Sequence, residues 1–123
     1  MTSLSPEARQ RLETEANIWI STVRPDGRPH LTPVWFVWHA DKVYACIQGR
    51  SVKTNNLDQN PHAALALEDG SSVVICEGMI QFIEEPWPTS VADLFRAKYN
   101  WDITTDHDYN RLLEVTPVKW LIW

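Results

Sequence analysis

Residues 17–38 read NIWISTVRPDGRPHLTPVWFVW. Asn17 to Val23 is rich in β-branched side chains, which favour a pleated backbone. Arg24-Pro25-Asp26-Gly27 carries hairpin chemistry, because Asp-Gly supplies the positive φ that a tight return needs. Pro29 to Trp38 is then the returning strand. Pro29 and Pro33 bring no amide hydrogen to a ladder, so they predict an edge or a bulge near its start. A hairpin of this kind makes the domain a β domain, and the rest of the chain continues in the same way.

Downstream, His39-Ala40-Asp41 turns the chain into a third strand, Lys42 to Ile47. His62 to Leu67 is apolar at nearly every position, which predicts a strand covered on both faces. Glu68-Asp69-Gly70-Ser71 turns into one long strand, Ser72 to Glu84, with Gly78 as a bulge or bend in its middle. Val115 to Trp123 closes the set. Three helices are predicted: 5–16 with Ser5 as cap and Pro6 in the first position, Ser51 to Asn60, and Thr89 to Tyr99 with Thr89 or Ser90 as cap. Six strands at short spacing with few helices indicate a mainly β (α+β) fold, a β-barrel or related roll.

The 123 residues suffice for one domain, 1–123, with a modest core. A net charge of −5 argues against nucleic-acid or membrane-surface binding, both of which reward a basic face. No apolar run is long enough to span a bilayer, and the N-terminus lacks the charged-then-apolar order of a signal peptide, so a cytoplasmic location is expected. Cys46 and Cys76 each lie in an apolar strand-like run and read as buried thiols rather than a disulfide or metal pair. Seven tryptophans are many for this length and call for a core, an interface or a stacking site.

Arg50-Ser51-Val52-Lys53 opens the second helix. Ser51 is a good N-cap, so the free amides of the next residues point outward. Arg50 and Lys53 put positive charge at a helix start, which a helix alone does not favour but a bound phosphate does. A surface turn with two solvated charges is the competing reading. Asn60-Pro61 stops the helix. No paired carboxylates, Ser-His-Asp order or metal-spaced His/Cys cluster stands out, and no residue is assigned as catalytic. The histidines are scattered over turns and strand starts, and Glu84-Glu85 and 106–108 read as solvated loop charges.

The order Asp26-Gly27-Arg28-Pro29-His30, Pro33-Val34-Trp35-Phe36, Ser51-x-Lys53, Asn56-Leu57, Asn60-Pro61-His62-Ala63-Ala64-Leu65 and Glu77-Gly78 resembles the pyridoxamine 5′-phosphate oxidase-like superfamily. The resemblance runs from about Ile18 to Phe82. It implies a six-stranded antiparallel split β-barrel of Greek-key type that binds FMN. The flavin ring would lie along the second strand at Thr32, Pro33, Val34 and Trp35, with Cys46, Ile47 and Gln48 beside the ribityl chain. Ser51 and Lys53 match the phosphate-binding serine and lysine, and Arg50 and Asn56 are further candidate phosphate contacts. The resemblance also implies a homodimer with cofactor at the interface, where Trp120 or Trp123 would border the partner's flavin. His30 falls on the cofactor-bearing strand.

Several positions depart from the true oxidase. Thr32 and Val37 stand where it has basic residues, Val52 replaces an arginine, Val73 a glutamine, and the Arg/His segment that grips the vitamer phosphate is not matched. The resemblance therefore implies an FMN-dependent oxidoreductase acting on a small organic substrate. The alternatives are a reductase that uses the deazaflavin F420, or a non-catalytic flavin- or haem-binding stress or sensor protein. F420 would demand more basic residues for its tail than Arg24, Arg28 and Arg50 supply.

Overall fold

The computed structural model describes residues 4–123. Its elements, in chain order, are α1 (Pro6–Thr14), β1 (Ile18–Val23), β2 (Pro29–Val34), β3 (Val37–His39), β4 (Lys42–Ile47), α2 (Val52–Gln59), β5 (His62–Ala66), β6 (Val74–Ile83), α3 (Thr89–Tyr99), a 3-10 turn (Ile103–Thr105) and β7 (Arg111–Ile122). All strand pairs are antiparallel, in one sheet of order β2-β1-β5-β6-β7-β4-β3.

There are seven strands among the described residues rather than six. The expected strand 29–38 is split at Trp35 and Phe36, and its halves lie at opposite edges of the sheet. From Val34 to Val37 the chain covers at most about 11 Å, so the two edges must curl towards each other. The result is a curled half-barrel. Phe36, fully buried, leaves the ladder because α3 binds its backbone. Its N–H donates to Tyr99 Oη at 3.0 Å, and its carbonyl accepts from Lys98 Nζ at 2.9 Å. Pro29 and Pro33 fit this arrangement, since β2 is an edge strand.

The hairpin turn forms as the sequence implies. Gly27 takes φ +90°, and its N–H donates to the Arg24 carbonyl at 2.9 Å. Ser5 caps α1 by accepting from the Ala8 N–H at 3.1 Å, and Ser51 caps α2 by accepting from the Thr54 N–H at 3.2 Å. α3 differs. Pro88 holds its cap position with no side-chain hydrogen bond, and Thr89 is already helical. The helix ends at Asn100 in the left-handed region, φ 52°.

β7 begins at Arg111, upstream of the expected Val115. The added residues run between two strands, Leu113 opposite both Ala45 and Phe82. β5 buries Ala63 and Leu65 but leaves His62 exposed, so it is covered fully on one face only. The expected bulge is present as a register shift between Glu77 and Gly78. There a Cβ would come within 2.7 Å of Val115 Cγ1 and 2.8 Å of the Thr116 carbonyl oxygen.

β4 separates two cores. Val43, Ala45 and Ile47 face the interior with Ile20, Phe36, Leu65 and Val115, closed by Leu12 of α1 and Leu57 of α2. Tyr44 and Cys46, on the opposite face, pack under α3 with Val91, Phe95 and Leu112. Fully burying a side chain such as Phe95 contributes about 1.5–3 kcal/mol, which fixes α3 against β3 and β4. Both cysteines are free and buried, and burial pushes their thiols up to about 12. No helix among the described residues is long and apolar enough to cross a membrane.

Candidate functional site

A cavity of about 650 Å³ opens where β2 ends, of a size that suits a small-molecule site. Pro33, Val34 and Trp35 supply one wall, Cys46 and Ile47 at the end of β4 another, and Lys53 reaches in from the first turn of α2. Six of the residues expected at a cofactor site are thus brought together. The remaining wall is Tyr99, Asn100 and Trp101 at the end of α3, Asp106 and Tyr109 in the following loop, and Asn17 before β1.

Lys53 is half-buried, and burial lowers its pKa; among the described residues its ammonium has no ion pair. A cation withdrawn from water without a partner is costly. An anion in the cavity would relieve that cost. On β2, His30, Thr32 and Val34 share one face by strand alternation. The buried Nδ1 of His30 and Oγ1 of Thr32 have no hydrogen-bond partner. Burial lowers the His30 pKa, and the charges of Arg24 and Lys53 lower it further. His30 is therefore neutral and near positive charge, but neither it nor the expected Thr32 is among the described residues that line the cavity; they share a strand face with Val34, which does.

Other expected residues fall elsewhere. Ser51 Oγ accepts from the Thr54 N–H and lies 2.8 Å from Thr54 Oγ1, whose own hydrogen goes to the Gln48 carbonyl at 2.6 Å. That leaves the Ser51 hydroxyl hydrogen directed at Thr54. Gln48 and Arg50 are exposed and off the cavity wall. Asn56 is turned inward, 2% exposed, with Nδ2 donating to the buried Thr22 hydroxyl at 3.0 Å. It ties α2 to β1 rather than facing the cavity. Trp120 is also a core residue in this chain, 7% exposed and edge-on to Trp38 at 5.9 Å. Its large apolar surface is absorbed by the interior. Trp123, by contrast, is exposed.

Tyr99, Trp101 and Tyr109 join the expected Trp35 in an aromatic wall that the sequence does not place at the site. Trp35 stacks on Tyr99, centroids 4.5 Å apart and planes within 6°. Trp101 stands edge-on to Trp35, Phe95 and Tyr109. Asp106 holds the loop: Oδ1 accepts from the N–H groups of Asp108 and Tyr109, and Oδ2 from Trp101 Nε1 at 3.1 Å. These bonds, the Tyr109 amide first, hold its carboxyl below the usual range. Cys46 Sγ donates to the Tyr109 carbonyl at 3.1 Å and pins the loop to β4. The signal in the sequence was Trp101 and Tyr109 flanking a polar run, where large aromatics have no core of their own to fill.

These features define a small antiparallel β protein with an anion-seeking cation and a strand edge at one cavity. The family profile of pyridoxamine 5′-phosphate oxidase matches residues 4–123, and the chain belongs to that family. No curated protein matches in sequence. Among solved structures, the haem storage protein HutZ from Vibrio cholerae superposes with TM-score 0.83 at 17% identity, over 98% of this chain and 95% of that one. An F420 reductase gives 0.77 at 21% identity, over 96% and 98%. An FAD-binding protein from Mesorhizobium loti gives 0.69 at 13% identity, over 95% and 92%. At these identities the likeness shows the shared fold.

Proposed function

We propose that this chain is an FMN-dependent oxidoreductase that acts on a small organic substrate. The observation that carries the reading is Lys53, a half-buried cation on the wall of the cavity with no ion pair among the described residues. The residues present fit the cofactor. Lys53, on the cavity wall, would meet its phosphate. The outer edge of β2, which ends at Val34, is unpaired among the described residues, so backbone groups there are free to bond the ring system. FMN would supply hydride and electron transfer, while the protein binds, orients and screens it from water.

HutZ and the F420 reductase share the fold, and each suggests another ligand. Haem needs an axial ligand; among the described cavity-lining residues there is no histidine or methionine, which leaves the Cys46 thiol and the Tyr109 phenol for that place. F420 would need cations for its tail. Arg24 and Arg28 do line a second cleft beside α2, but Arg28 is paired with Asp26 at 2.8 Å and Arg24 donates to the Pro29 carbonyl. FMN is the ligand this charge distribution suits best.

The chain is proposed to work as a homodimer. Trp19 and Pro33 are cross-strand partners on the outer face of β1 and β2, beside the strongly exposed Leu31. Pro33 also lines the cavity, so a second copy seated on this face would cover the cavity mouth. Light scattering after gel filtration should give twice the chain mass, and Leu31→Asp should give the monomer. The cofactor is tested by the absorbance of freshly purified protein and mass identification of what heat releases. A two-banded flavin spectrum with FMN released supports the reading, and a deazaflavin or Soret band overturns it. A colourless protein that fails to take up added FMN overturns it as well.

A further inference from the structure

The cavity has two chemically different halves, and the proposed cofactor accounts for only one. Pro33, Val34, Ile47 and Lys53 form an apolar wall with a cation, whereas Trp35, Tyr99, Trp101 and Tyr109 form an aromatic wall with Asp106 set into it. Lys53 and Asp106 are the two charged side chains among the described lining residues. We propose that the aromatic half is a substrate subsite that takes a flat heteroaromatic ring, neutral or positively charged, and discriminates against anionic ones. This rests on the FMN reading, since the cofactor phosphate is what occupies Lys53 and leaves Asp106 as the charge a substrate meets.

The rings are pre-organised for stacking. Trp35 and Tyr99 are parallel, and Trp101 is held edge-on to both Trp35 and Tyr109, at 5.9 and 5.7 Å between centroids. Trp35 keeps 48% of its surface exposed and Tyr109 41%, so apolar ring area remains uncovered although neighbours fix the orientations. Uncovered, rigid aromatic area on a concave wall favours planar ligands, and indole faces also attract cations. The Asp106 carboxylate uses three acceptor positions internally, and a carboxylate has about four. One acceptor position is left over, and these bonds keep the carboxylate ionised. The chemistry is the reverse of that needed for a phosphorylated substrate.

Three probes with one ring and three charges test this: 1-methylnicotinamide (cation), nicotinamide (neutral) and nicotinate (anion). Their affinities for FMN-loaded protein are read by ligand-detected NMR titration. The cation should bind best and the anion worst. Each step should be about threefold at low salt, compressed as salt rises, as befits a partly exposed charge. Asp106→Asn should abolish the order, and Trp101→Leu should weaken all three probes together. Nicotinate binding as tightly as 1-methylnicotinamide, no binding at millimolar concentration, or indifference to Trp101→Leu would overturn the subsite. Should the chain not bind FMN, the functional reading fails by itself. The same series on Lys53→Ala protein, where the competing cation is gone, then decides the subsite: the cation-first order supports it and an anion-first order overturns it.

Discussion

Tyr99 holds Phe36 by its backbone. The Tyr99 phenol accepts from the Phe36 N–H at 3.0 Å, while the Tyr99 ring stacks on the neighbouring Trp35. One side chain from α3 thus seals the gap between β2 and β3 and orients an aromatic wall of the cavity. Tyr99→Phe keeps the stack but leaves a buried amide of Phe36 without a partner. It should cost about 1–3 kcal/mol in urea unfolding. A loss below about 0.5 kcal/mol would mean that water replaces the phenol and that the clamp is dispensable.

Gly78 lets β6 and β7 come close at the bulge. A Cβ there meets Val115 Cγ1 and the Thr116 carbonyl at under 3 Å. Gly78→Ala should therefore destabilise by about 1–3 kcal/mol, through overpacking. Circular dichroism during urea unfolding reads this directly, and a neutral result would show that the bulge can open.

Lys98 lies 3.9 Å above the Phe36 ring, and burial lowers its pKa to about 8. The unfolded chain then binds more protons than the folded one between about pH 8 and the normal lysine value. This group's contribution to stability must rise with pH across that window. The buried thiols and Tyr44, with raised values, act in the opposite sense at higher pH. The comparison with Lys98→Met isolates the lysine. The stability of the wild type relative to that variant should increase from pH 8 to 10, and a flat difference would contradict the assignment.

Cys46 and Cys76 should be inert in the folded protein at pH 8, because their thiols are held near 12 and thiolate is the reactive form. A chromogenic disulfide reagent should count both only after denaturant is added. Rapid reaction of either in native protein would show that its strand opens.

Much of the architecture was legible because local chemistry and global fold agree in it. The Asp26-Gly27 turn, the Ser5 and Ser51 caps, the Gly78 bulge and the edge prolines each carry their instruction within a few residues. What the sequence concealed depends on distant partners. The apolar run through Phe36 gives no sign of a break, because the groups that take its backbone out of the ladder, Lys98 and Tyr99, lie on α3. Likewise Asn56 has the right place on α2 for a phosphate contact, and only its packing on Thr22 turns it inward. Trp101, Asp106 and Tyr109 reach the cavity through a loop whose polar composition reads as solvent-facing.

The central claim is that Lys53 anchors the phosphate of a flavin in this cavity. FMN and riboflavin differ only in that phosphate, so titrating both into wild-type and Lys53→Ala protein isolates the contact. A charge-assisted bond of about 1.5–3 kcal/mol predicts that wild type prefers FMN by roughly ten- to a hundredfold. It predicts equally that the variant binds FMN hardly better than riboflavin, with riboflavin affinity unchanged. Wild-type protein that binds the two alike, or a variant that keeps the full preference for FMN, would contradict the account.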